Sequence, residues 1–403
     1  MTGSAASEFR DHWRALAGCT VAASIGTIGL HAYTSGAFMP ALIAGAGYTK
    51  DQLSLATLIL SATVAVAAPF AGALMDRHGA ARIIAVAVIG EAAAFALLSV
   101  APASFPVYAA LIVLLALVGV GTTPPGFARI VTARFDTARG LALGCMISGL
   151  GLMAISGPIW ATWVIGHFGW RAGYAVMAGL VLLLGSAGLL LIGRDRQAGA
   201  AMPDTSAGEP VADPGNAFAR PLFWWLVLGF LLPSLFGGGY LLHLISILRE
   251  RGFTPAGAAQ VQSLIGVAVL CGRLGSGAAL DRFPPRWVAA VAFTISAAGC
   301  ALLLLSDPLL MAIAALAIGL TIGAELDIMA YFISRYFGLA GFGRLYGFAY
   351  GALILGGGAS PVLITRLAAW GSGYPTALIV STIGTAAGAA ILLALPDPRR
   401  AAR

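Results

Sequence analysis

The sequence predicts an all-α membrane protein in which twelve transmembrane helices form two pseudo-symmetric six-helix bundles. Three observations support this prediction: long apolar stretches, an internal repeat, and basic residues that concentrate in alternate loops. Hydrophobic residues make up 59% of the 403-residue chain, charged residues make up 10%, and the mean hydropathy is +0.92. Soluble domains carry about 25% charged residues, so this composition indicates a protein that is solvated mainly by lipid.

Apolar runs that can each cross a hydrocarbon core of about 30 Å recur along the whole chain. We number them span 1 to span 12, and they occupy 15–40, 52–75, 82–101, 106–129, 140–165, 171–193, 221–247, 256–280, 287–305, 309–334, 343–367 and 374–395. Two interruptions are expected within them. Pro124 and Pro125 remove backbone hydrogen bonds in span 4, and the glycines at 237–239 favour a bend in span 7.

The basic residues define the predicted orientation. With the amino terminus in the cytoplasm, 17 of the 23 basic residues fall on the cytoplasmic side: Arg10, Arg14, Arg77, Arg82, Arg129, Arg134, Arg139, Arg194, Arg196, Arg220, Arg282, Arg286, Arg335, Arg344, Arg399, Arg400 and Arg403. The positive-inside rule therefore predicts that both termini are cytoplasmic. The same distribution accounts for the net charge of +7 without any need for nucleic-acid binding. The use of 22 Arg against one Lys, with abundant Ala and Gly, indicates a GC-rich bacterial genome, so the predicted location is a bacterial inner membrane.

Two loops of the chain are copies of each other. The segment GALMDRHGAAR begins at Gly72, and GAALDRFPPR begins at Gly277, 205 residues later. A second pair follows at nearly the same offset, with ARFDTARG starting at Ala133 and SRYFGLAGFGR starting at Ser334. Several matches in the same order indicate that a six-helix unit has been duplicated.

The longest polar interruption, 194–220, is rich in Ala, Gly, Pro and acidic residues. It is predicted to be a flexible cytoplasmic linker between an N-terminal bundle at 1–193 and a C-terminal bundle at 221–403. No catalytic or nucleotide-binding motif is present, and the four cysteines lie in apolar runs without metal-ligand spacing. We therefore expect a monomer without enzymatic activity, cofactor or metal.

These features resemble the major facilitator superfamily, and within it the monocarboxylate transporter and oxalate:formate antiporter branch. The resemblance is carried by Asp76-Arg77-His78-Gly79 with Arg82, by the pattern from Phe135 through Arg139, Leu141, Ala142 and Gly144 to Gly149, and by HLISILRERGFTPAGAA followed by LCGRLGSGAALDRF. In bacterial members a His and an Arg thirty residues apart help to bind the carboxylate. The resemblance implies that role for His243 and Arg273.

The chain departs from this pattern in three places. Val269 stands where animal members have a proton-carrying acidic residue, and neither the span 1 lysine nor the span 11 lysine of the family is present. A dicarboxylate that needs two fixed cations is therefore less expected than a monocarboxylate. The proton route of the animal members cannot be transferred to this chain either.

Arg273 is the strongest candidate for substrate binding. A charge within a membrane span costs about 2.5–3.5 kcal/mol on insertion scales, so it normally faces a protein interior or a water path. Its guanidinium stays protonated and can bind a carboxylate through two parallel hydrogen bonds. The alternative is a structural ion pair with Glu325 or Asp327. Both interpretations hold if substrate competes for the arginine.

The other ionisable residues within spans leave two interpretations open. His243 titrates near neutral pH and suits proton coupling or substrate binding, but it could equally pack between helices. Glu325 and Asp327 of span 10 are two residues apart and should face different directions. Glu325 is the better proton-binding candidate, although either could pair with Arg134, Arg335 or Arg344 to lock a gate. Glu91 in span 3 is either functional or an interhelical contact.

Two further groups of residues complete the predicted site. His31 and Tyr331 are the preferred polar contacts for substrate, ahead of Tyr33, Tyr346 and Tyr350. By resemblance, the repeated loops and their neighbours form a cytoplasmic gate that comprises Asp76, Arg77, Arg82, Arg134, Arg139, Asp281, Arg282 and Arg344.

The sequence as a whole favours a secondary active transporter of a small organic monocarboxylate, such as lactate or pyruvate, with proton symport and alternating access. Its expected partners are the organic anion, protons and the lipid bilayer. Two alternatives remain. One is an efflux carrier for aromatic acids or amphipathic drugs, because the spans are largely apolar. The other is a non-transporting membrane sensor or scaffold.

Overall fold

The computed structural model describes residues 5–135, 139–193, 217–337 and 342–396. Within these ranges the chain is almost entirely helical, and no strand is found. Contacts divide the chain into two compact units, Met1–Pro203 and Asp204–Arg403. The predicted linker lies outside the described residues up to position 216, so its limits stay a prediction.

The first unit contains spans 1 to 6, and three of its helical segments are interrupted. Span 1 comprises the helix Ala5–Ser24, a π-helical turn at Ile28–Ala32 and the helix Tyr33–Ala46. Spans 2 and 3 are Lys50–His78 and Ala80–Val100. Span 4 comprises Phe105–Gly119, a 3-10 turn at Val120–Thr122 and Pro124–Thr132. Spans 5 and 6 form Arg139–Ile192, which Gly169 breaks with φ 83° and ψ 168°.

The second unit contains spans 7 to 12. Span 7 consists of Pro221–Gly237 and Tyr240–Glu250, and spans 8 to 12 are Pro255–Arg282, Pro285–Leu302, Pro308–Phe337, Phe342–Trp370 and Tyr374–Ala394. Proline stands in the first turn of several of these helices, where its missing N–H costs no hydrogen bond.

The described helices account for all twelve predicted spans. Ten of them are long and apolar enough to cross a membrane, and the bent pair in span 1, with an angle of 43°, supplies one more. Gly169 divides one of the ten into two. Many large apolar side chains face outward, as Leu190 (83% exposed) and Phe70 (70% exposed) illustrate. Such a surface suits hydrocarbon, so the chain is an all-α, multi-pass membrane protein.

The helix boundaries follow from local side-chain chemistry. Thr49 and Gln52 form a capping box at the start of span 2, with reciprocal hydrogen bonds of 3.1 and 3.0 Å. Both predicted interruptions are confirmed: span 4 restarts at Pro124, and span 7 breaks between Gly237 and Tyr240. The break in span 1 was not predicted.

Spans 8 and 10 pack backbone against backbone. A Cβ atom added to Gly272 would collide with the carbonyl oxygen of Leu320, and one added to Gly323 would collide with that of Val269. Small residues allow this close approach between membrane helices. Because Arg273 follows Gly272, this contact determines how the arginine is presented to span 10.

Candidate functional site

Arg273 lies within span 8, about 13 Å along the helix axis from the helix end at Arg282. Its side chain is 13% exposed, and its Nη1 donates to Oδ1 of Asp327 at 3.3 Å. The Asp327 side chain is 35% exposed. Within the described residues this is the one hydrogen bond of the Arg273 guanidinium. Since a guanidinium has five N–H donors, the ion pair leaves most of its hydrogen-bonding capacity unused.

A second carboxyl group and two phenols lie near the ion pair, on spans 10 and 11. Glu325 and Asp327 are both within electrostatic range of Arg273. Tyr346 of span 11 is within range of all three, and Tyr350 is within range of Glu325. The two tyrosine rings stack with centroids 6.3 Å apart and an interplanar angle of 19°. We call these five residues the Arg273 cluster.

The Arg273 cluster therefore combines one permanent cation, two acids and two aromatic hydroxyl groups from spans 8, 10 and 11. Asp327 contacts the guanidinium, whereas Glu325 is close to it without a hydrogen bond to it in the described part of the chain. The expectation that the two acids face different directions is compatible with this difference. From the sequence, Tyr346 and Tyr350 are weaker candidates than Tyr331, because tyrosine spacing does not reveal which helix faces Arg273.

His243 lies outside these contacts, in the second half of span 7, and is fully buried. Its Nδ1 is 3.0 Å from the hydroxyl of Tyr374, and its Nε2 is 3.1 Å from the carbonyl of Pro361 and 3.3 Å from Oγ1 of Thr365. A carbonyl can only accept, so the geometry assigns the ring proton to Nε2, and Nδ1 accepts from Tyr374. Both nitrogens of a neutral imidazole are thus occupied by protein groups.

Hydrogen bonds to span 11 stabilise the break in span 7, close to His243. The backbone N–H of Gly239 donates to Oγ of Ser360 at 2.8 Å, and Oγ of Ser234 donates to the carbonyl of Leu353 at 2.8 Å. These two hydrogen bonds join spans 7 and 11, and the first of them satisfies a backbone N–H at the break. His243 adds to this junction from the next helical turn.

The two other predicted substrate contacts lie in different units. His31 belongs to the π-helical turn of span 1 and is 8% exposed. Tyr331 lies one helical turn beyond Asp327 in span 10, and the guanidinium of Arg335 stands 5.3 Å from its ring centroid. The structure thus brings Tyr331 close to the Arg273 cluster along its own helix, and places His31 in the first unit.

The predicted gate is described only in part. Arg77, Arg82 and Arg282 are exposed, and Arg134 donates to the carbonyl of Ile130 at 3.1 Å. The side chains of four other members lie outside the described residues, so their pairing stays a prediction: Asp76, Arg139, Asp281 and Arg344.

One contact near the first repeated loop escaped the sequence reasoning. Nη1 of Arg129, at the end of span 4, donates to the carbonyl of Gly72 in span 2 at 2.9 Å. The repeat marked Gly72 as the start of the loop, but no sequence signal connected it with Arg129. This bond ties span 4 to span 2 beside the predicted gate.

Comparison with known proteins is consistent with this architecture. Monocarboxylate transporter 13 from Bos taurus is 29% identical over 155 residues, which cover 37% of this chain and 34% of that protein. Monocarboxylate transporter 13 from Rattus norvegicus is 25% identical over 271 residues, which cover 65% of this chain and 61% of that protein. The chain thus spans less than two thirds of the length of each relative.

Two crystal structures of a bacterial homologue of the human lysosomal transporter Spinster, both inward-facing, share the fold. The unoccupied form gives a TM-score of 0.74 at 16% identity, the occupied form gives 0.73 at 17%, and each match covers 97% of both chains. Residues 21–285 match the family profile of the Major Facilitator Superfamily. Since this match covers well over half of the sequence, the chain belongs to the Major Facilitator Superfamily of membrane transporters.

Proposed function

We propose that this transporter carries a small organic monocarboxylate together with a proton. The observation that carries the proposal is the state of Arg273: a permanent cation within a span, held by one 3.3 Å contact to a partly exposed aspartate. Most of its N–H donors remain free for a carboxylate, which guanidinium binds in a planar, bidentate way. The name of the two mammalian relatives supports the same class of substrate.

The charges of the Arg273 cluster provide a reason for proton coupling. One guanidinium faces two carboxyl groups, so an arriving substrate anion would add a third negative charge. In the proposed cycle the substrate carboxylate displaces Asp327 from Arg273, and a proton on Glu325 limits the negative charge of the loaded site. A loaded site closer to neutrality lowers the barrier for the two halves to rock around it, because less charge is enclosed in the low-dielectric membrane interior.

Tyr346 and Tyr350 suit the remainder of a small substrate. Their stacked rings supply an apolar surface, and their hydroxyl groups can donate to a hydroxy- or keto-acid such as lactate or pyruvate. Tyr331 stays in the proposal as an additional contact, and a substrate contact by His31 stays a prediction from the sequence. His243 is a weaker candidate for substrate binding, because its two ring nitrogens already have protein partners.

The same aromatic pair favours a second candidate, an efflux carrier for aromatic acids. A benzoate-like anion could bind Arg273 through its carboxylate and stack against Tyr346. The two candidates differ in ligand size rather than in the role of the arginine. A non-transporting sensor or scaffold is disfavoured by the family to which the chain belongs.

The deciding experiment measures binding and flux with purified protein. A thermal-shift panel should contain lactate, pyruvate, short-chain acids and aromatic acids, with neutral sugars and cationic drugs as controls. The acid that stabilises best is then used, radiolabelled, in proteoliposomes containing wild type, Arg273→Ala, Arg273→Lys or Arg249→Ala. Arg249 is an exposed arginine that contacts the carbonyl of Phe253, so it controls for loss of a positive charge.

We expect Arg273→Ala to lower uptake at least about 30-fold, because the bound substrate carboxylate loses its buried, hydrogen-bonded charge partner. Arg273→Lys should recover little, because an ammonium group lacks the planar fork. Arg249→Ala should behave like wild type. Normal uptake by Arg273→Ala would contradict the proposal and leave Arg273 as a structural ion pair.

We further propose a bacterial inner-membrane location, a monomeric carrier and cytoplasmic termini, on the basis of the positive-inside distribution. Reporter fusions after Arg196 and at Arg403 test the orientation. Both should report a cytoplasmic position, and a periplasmic signal from either would overturn the charge argument.

A further inference from the structure

A second group of buried polar residues lies in the first unit, where two interrupted spans meet span 3. Span 1 is interrupted between Ser24 and Ile28, and span 4 is interrupted from Val120 to Thr123. Glu91 stands midway along span 3, opposite both interruptions. Thr27 and Thr122 are the residues of spans 1 and 4 that approach it, and we call these three residues the Glu91 cluster.

The Glu91 cluster is sealed from solvent. Glu91 and Thr27 are 0% exposed and Thr122 is 1% exposed. A Cβ atom added to Gly119 would collide with Oγ1 of Thr27 and lie 3.5 Å from the carboxyl carbon of Glu91. The Thr27 hydroxyl therefore occupies the space that glycine leaves beside the carboxyl group. Within the described residues, Oγ1 of Thr27 and Oε1 of Glu91 have no hydrogen-bond partner.

No counter-charge accompanies Glu91 in the described part of the chain. The polar side chains found beside its carboxyl group among the described residues are those of Thr27 and Thr122. The charged residues and histidines on the elements packed around it are Glu8, Arg10, Asp11, His12, Arg14 and His31 on span 1, Lys50, Asp51, Asp76, Arg77 and His78 on span 2, Arg82 on span 3, Arg129 on span 4, and Arg139, His167 and Arg171 on spans 5 and 6. Arg82 lies about 13 Å away along the helix axis. Arg129 and Arg171 donate instead to the carbonyls of Gly72 and Ala101.

The Thr122 hydroxyl has three polar contacts but only one hydrogen to donate. Its Oγ1 accepts from the backbone N–H of Thr27 at 3.2 Å, and it lies 2.7 Å from the carbonyl of Gly119 and 2.7 Å from Oε2 of Glu91. A hydroxyl has one hydrogen, and a carbonyl can only accept. If Thr122 donates to Gly119, the 2.7 Å contact with Glu91 is attractive only when the carboxyl group supplies a hydrogen.

We propose that Glu91 is a proton-binding site, and that its neutral form donates from Oε2 to Thr122. The three contacts of the Thr122 hydroxyl are then all hydrogen bonds: it accepts from the backbone N–H of Thr27 and from Glu91, and it donates to the carbonyl of Gly119. A buried carboxylate without a counter-charge would instead bear a large desolvation cost.

Release of this proton changes the hydrogen bonds at an interrupted helix. The carboxylate can then only accept, so the Thr122 hydroxyl must turn from the carbonyl of Gly119 to Oε2 of Glu91. The carbonyl of Gly119, at the break in span 4, then loses its hydrogen bond from Thr122. The break in span 1 keeps the hydrogen bond from the Thr27 N–H to Thr122. Proton occupancy of Glu91 is thereby linked to the geometry of two spans. Its use in coupled transport rests on the proposed function, whereas proton binding does not.

Infrared spectroscopy of purified wild type and Glu91→Gln at neutral pH tests the proton directly. The difference spectrum should contain the carbonyl stretch of a protonated carboxylic acid. Glu325→Gln serves as a control for the half-buried glutamate of span 10, and its spectrum should keep the Glu91 band. Absence of the band from the Glu91 difference spectrum would overturn the proposal, and a carboxylate band that responds to sodium would assign a cation site instead.

A matched pair of variants tests the contact with Thr122. Thr122→Val removes the hydroxyl and should shift the Glu91 band, whereas Thr122→Ser retains it and should leave the band in place. A band unmoved in Thr122→Val would contradict the assigned hydrogen bond. This readout requires no substrate, so it fails or succeeds independently of Arg273.

Transport tests whether the proton is used. In proteoliposomes, Glu91→Gln should retain exchange of labelled substrate and lose accumulation driven by a pH gradient. Accumulation equal to wild type would overturn a coupling role for Glu91, while loss of uptake in Arg273→Ala would still support the monocarboxylate proposal.

Discussion

The Arg273 cluster and the Glu91 cluster accommodate ionisable groups within the membrane spans in opposite ways. Arg273 keeps a permanent charge, is 13% exposed and holds a partner at 3.3 Å. Glu91 is fully enclosed and holds a hydroxyl at 2.7 Å. A long, partly exposed ion pair can exchange one anion for another. An enclosed carboxylate without a counter-charge is stabilised only when it binds a small cation. The hydrogen bonds of Thr122 indicate that this cation is a proton.

The largest effect is expected from a single methyl group placed between spans 8 and 10. Gly323→Ala forces a Cβ atom against the carbonyl of Val269, so the two backbones must separate. Gly119→Ala meets the hydroxyl of Thr27, which can move more easily than a backbone. We expect the melting temperature and uptake to fall more for Gly323→Ala than for Gly119→Ala.

Gly277→Ala is the control for this pair, because nothing lies within 4 Å of the added Cβ atom. It should match wild type in melting temperature and uptake. If Gly323→Ala were as stable as Gly277→Ala, the close packing that presents Arg273 to span 10 would be refuted.

The next prediction separates coupling from binding. Glu325→Gln retains the size and hydrogen bonding of the side chain but cannot exchange a proton. It should exchange labelled substrate at the wild-type rate and lose accumulation driven by an imposed pH gradient. Exchange never requires the empty carrier to return, whereas net symport does. Accumulation at the wild-type level would remove Glu325 from the coupling route.

A smaller effect is expected at the partner of Arg273. Asp327→Asn removes the negative charge that competes with substrate, and a partly exposed ion pair contributes about 0.2–1 kcal/mol. The apparent affinity for the carboxylate should therefore rise by up to about fivefold in equilibrium binding. Weaker binding would show that Asp327 supports the substrate rather than competing with it.

The smallest functional effect is expected at His243. His243→Gln loses part of the junction with Tyr374, Pro361 and Thr365, at a cost of about 0.5–1.5 kcal/mol for each hydrogen bond lost. We expect a lower melting temperature with pH-driven accumulation preserved, and Tyr374→Phe should resemble it. If His243→Gln keeps its stability and loses accumulation, the histidine is a coupling residue.

Much of the fold could be predicted because its signals are local. Hydropathy located all twelve spans, and proline and glycine located the interruptions in spans 4 and 7. The interruption in span 1 has no proline beside it. It is accompanied by the bond from Thr27 N–H to Thr122, a contact across 95 residues that no local pattern reveals.

In the candidate site, too, the residues with a local sequence signal could be predicted and those placed by tertiary contacts could not. Arg273 was evident because a charge stands in an apolar stretch, and Asp327 was one of two acids considered as its partner. The choice between Asp327 and Glu325 depends on the rotation of span 10, which follows from glycine contacts between helices. Tyr346 and Tyr350 were underrated for the same reason, since their helix orientation is a tertiary property.

The turn at Gly169 has a consequence for how the protein is made. Spans 5 and 6 are joined through one residue with φ 83° and ψ 168°, a backbone region that is essentially restricted to glycine. So short a connection holds the two helices together as a hairpin during insertion, and it leaves little length for an epitope, a tag or a protease site. Substitutions at this position should therefore reduce the yield of inserted protein before they alter the kinetics of the carrier.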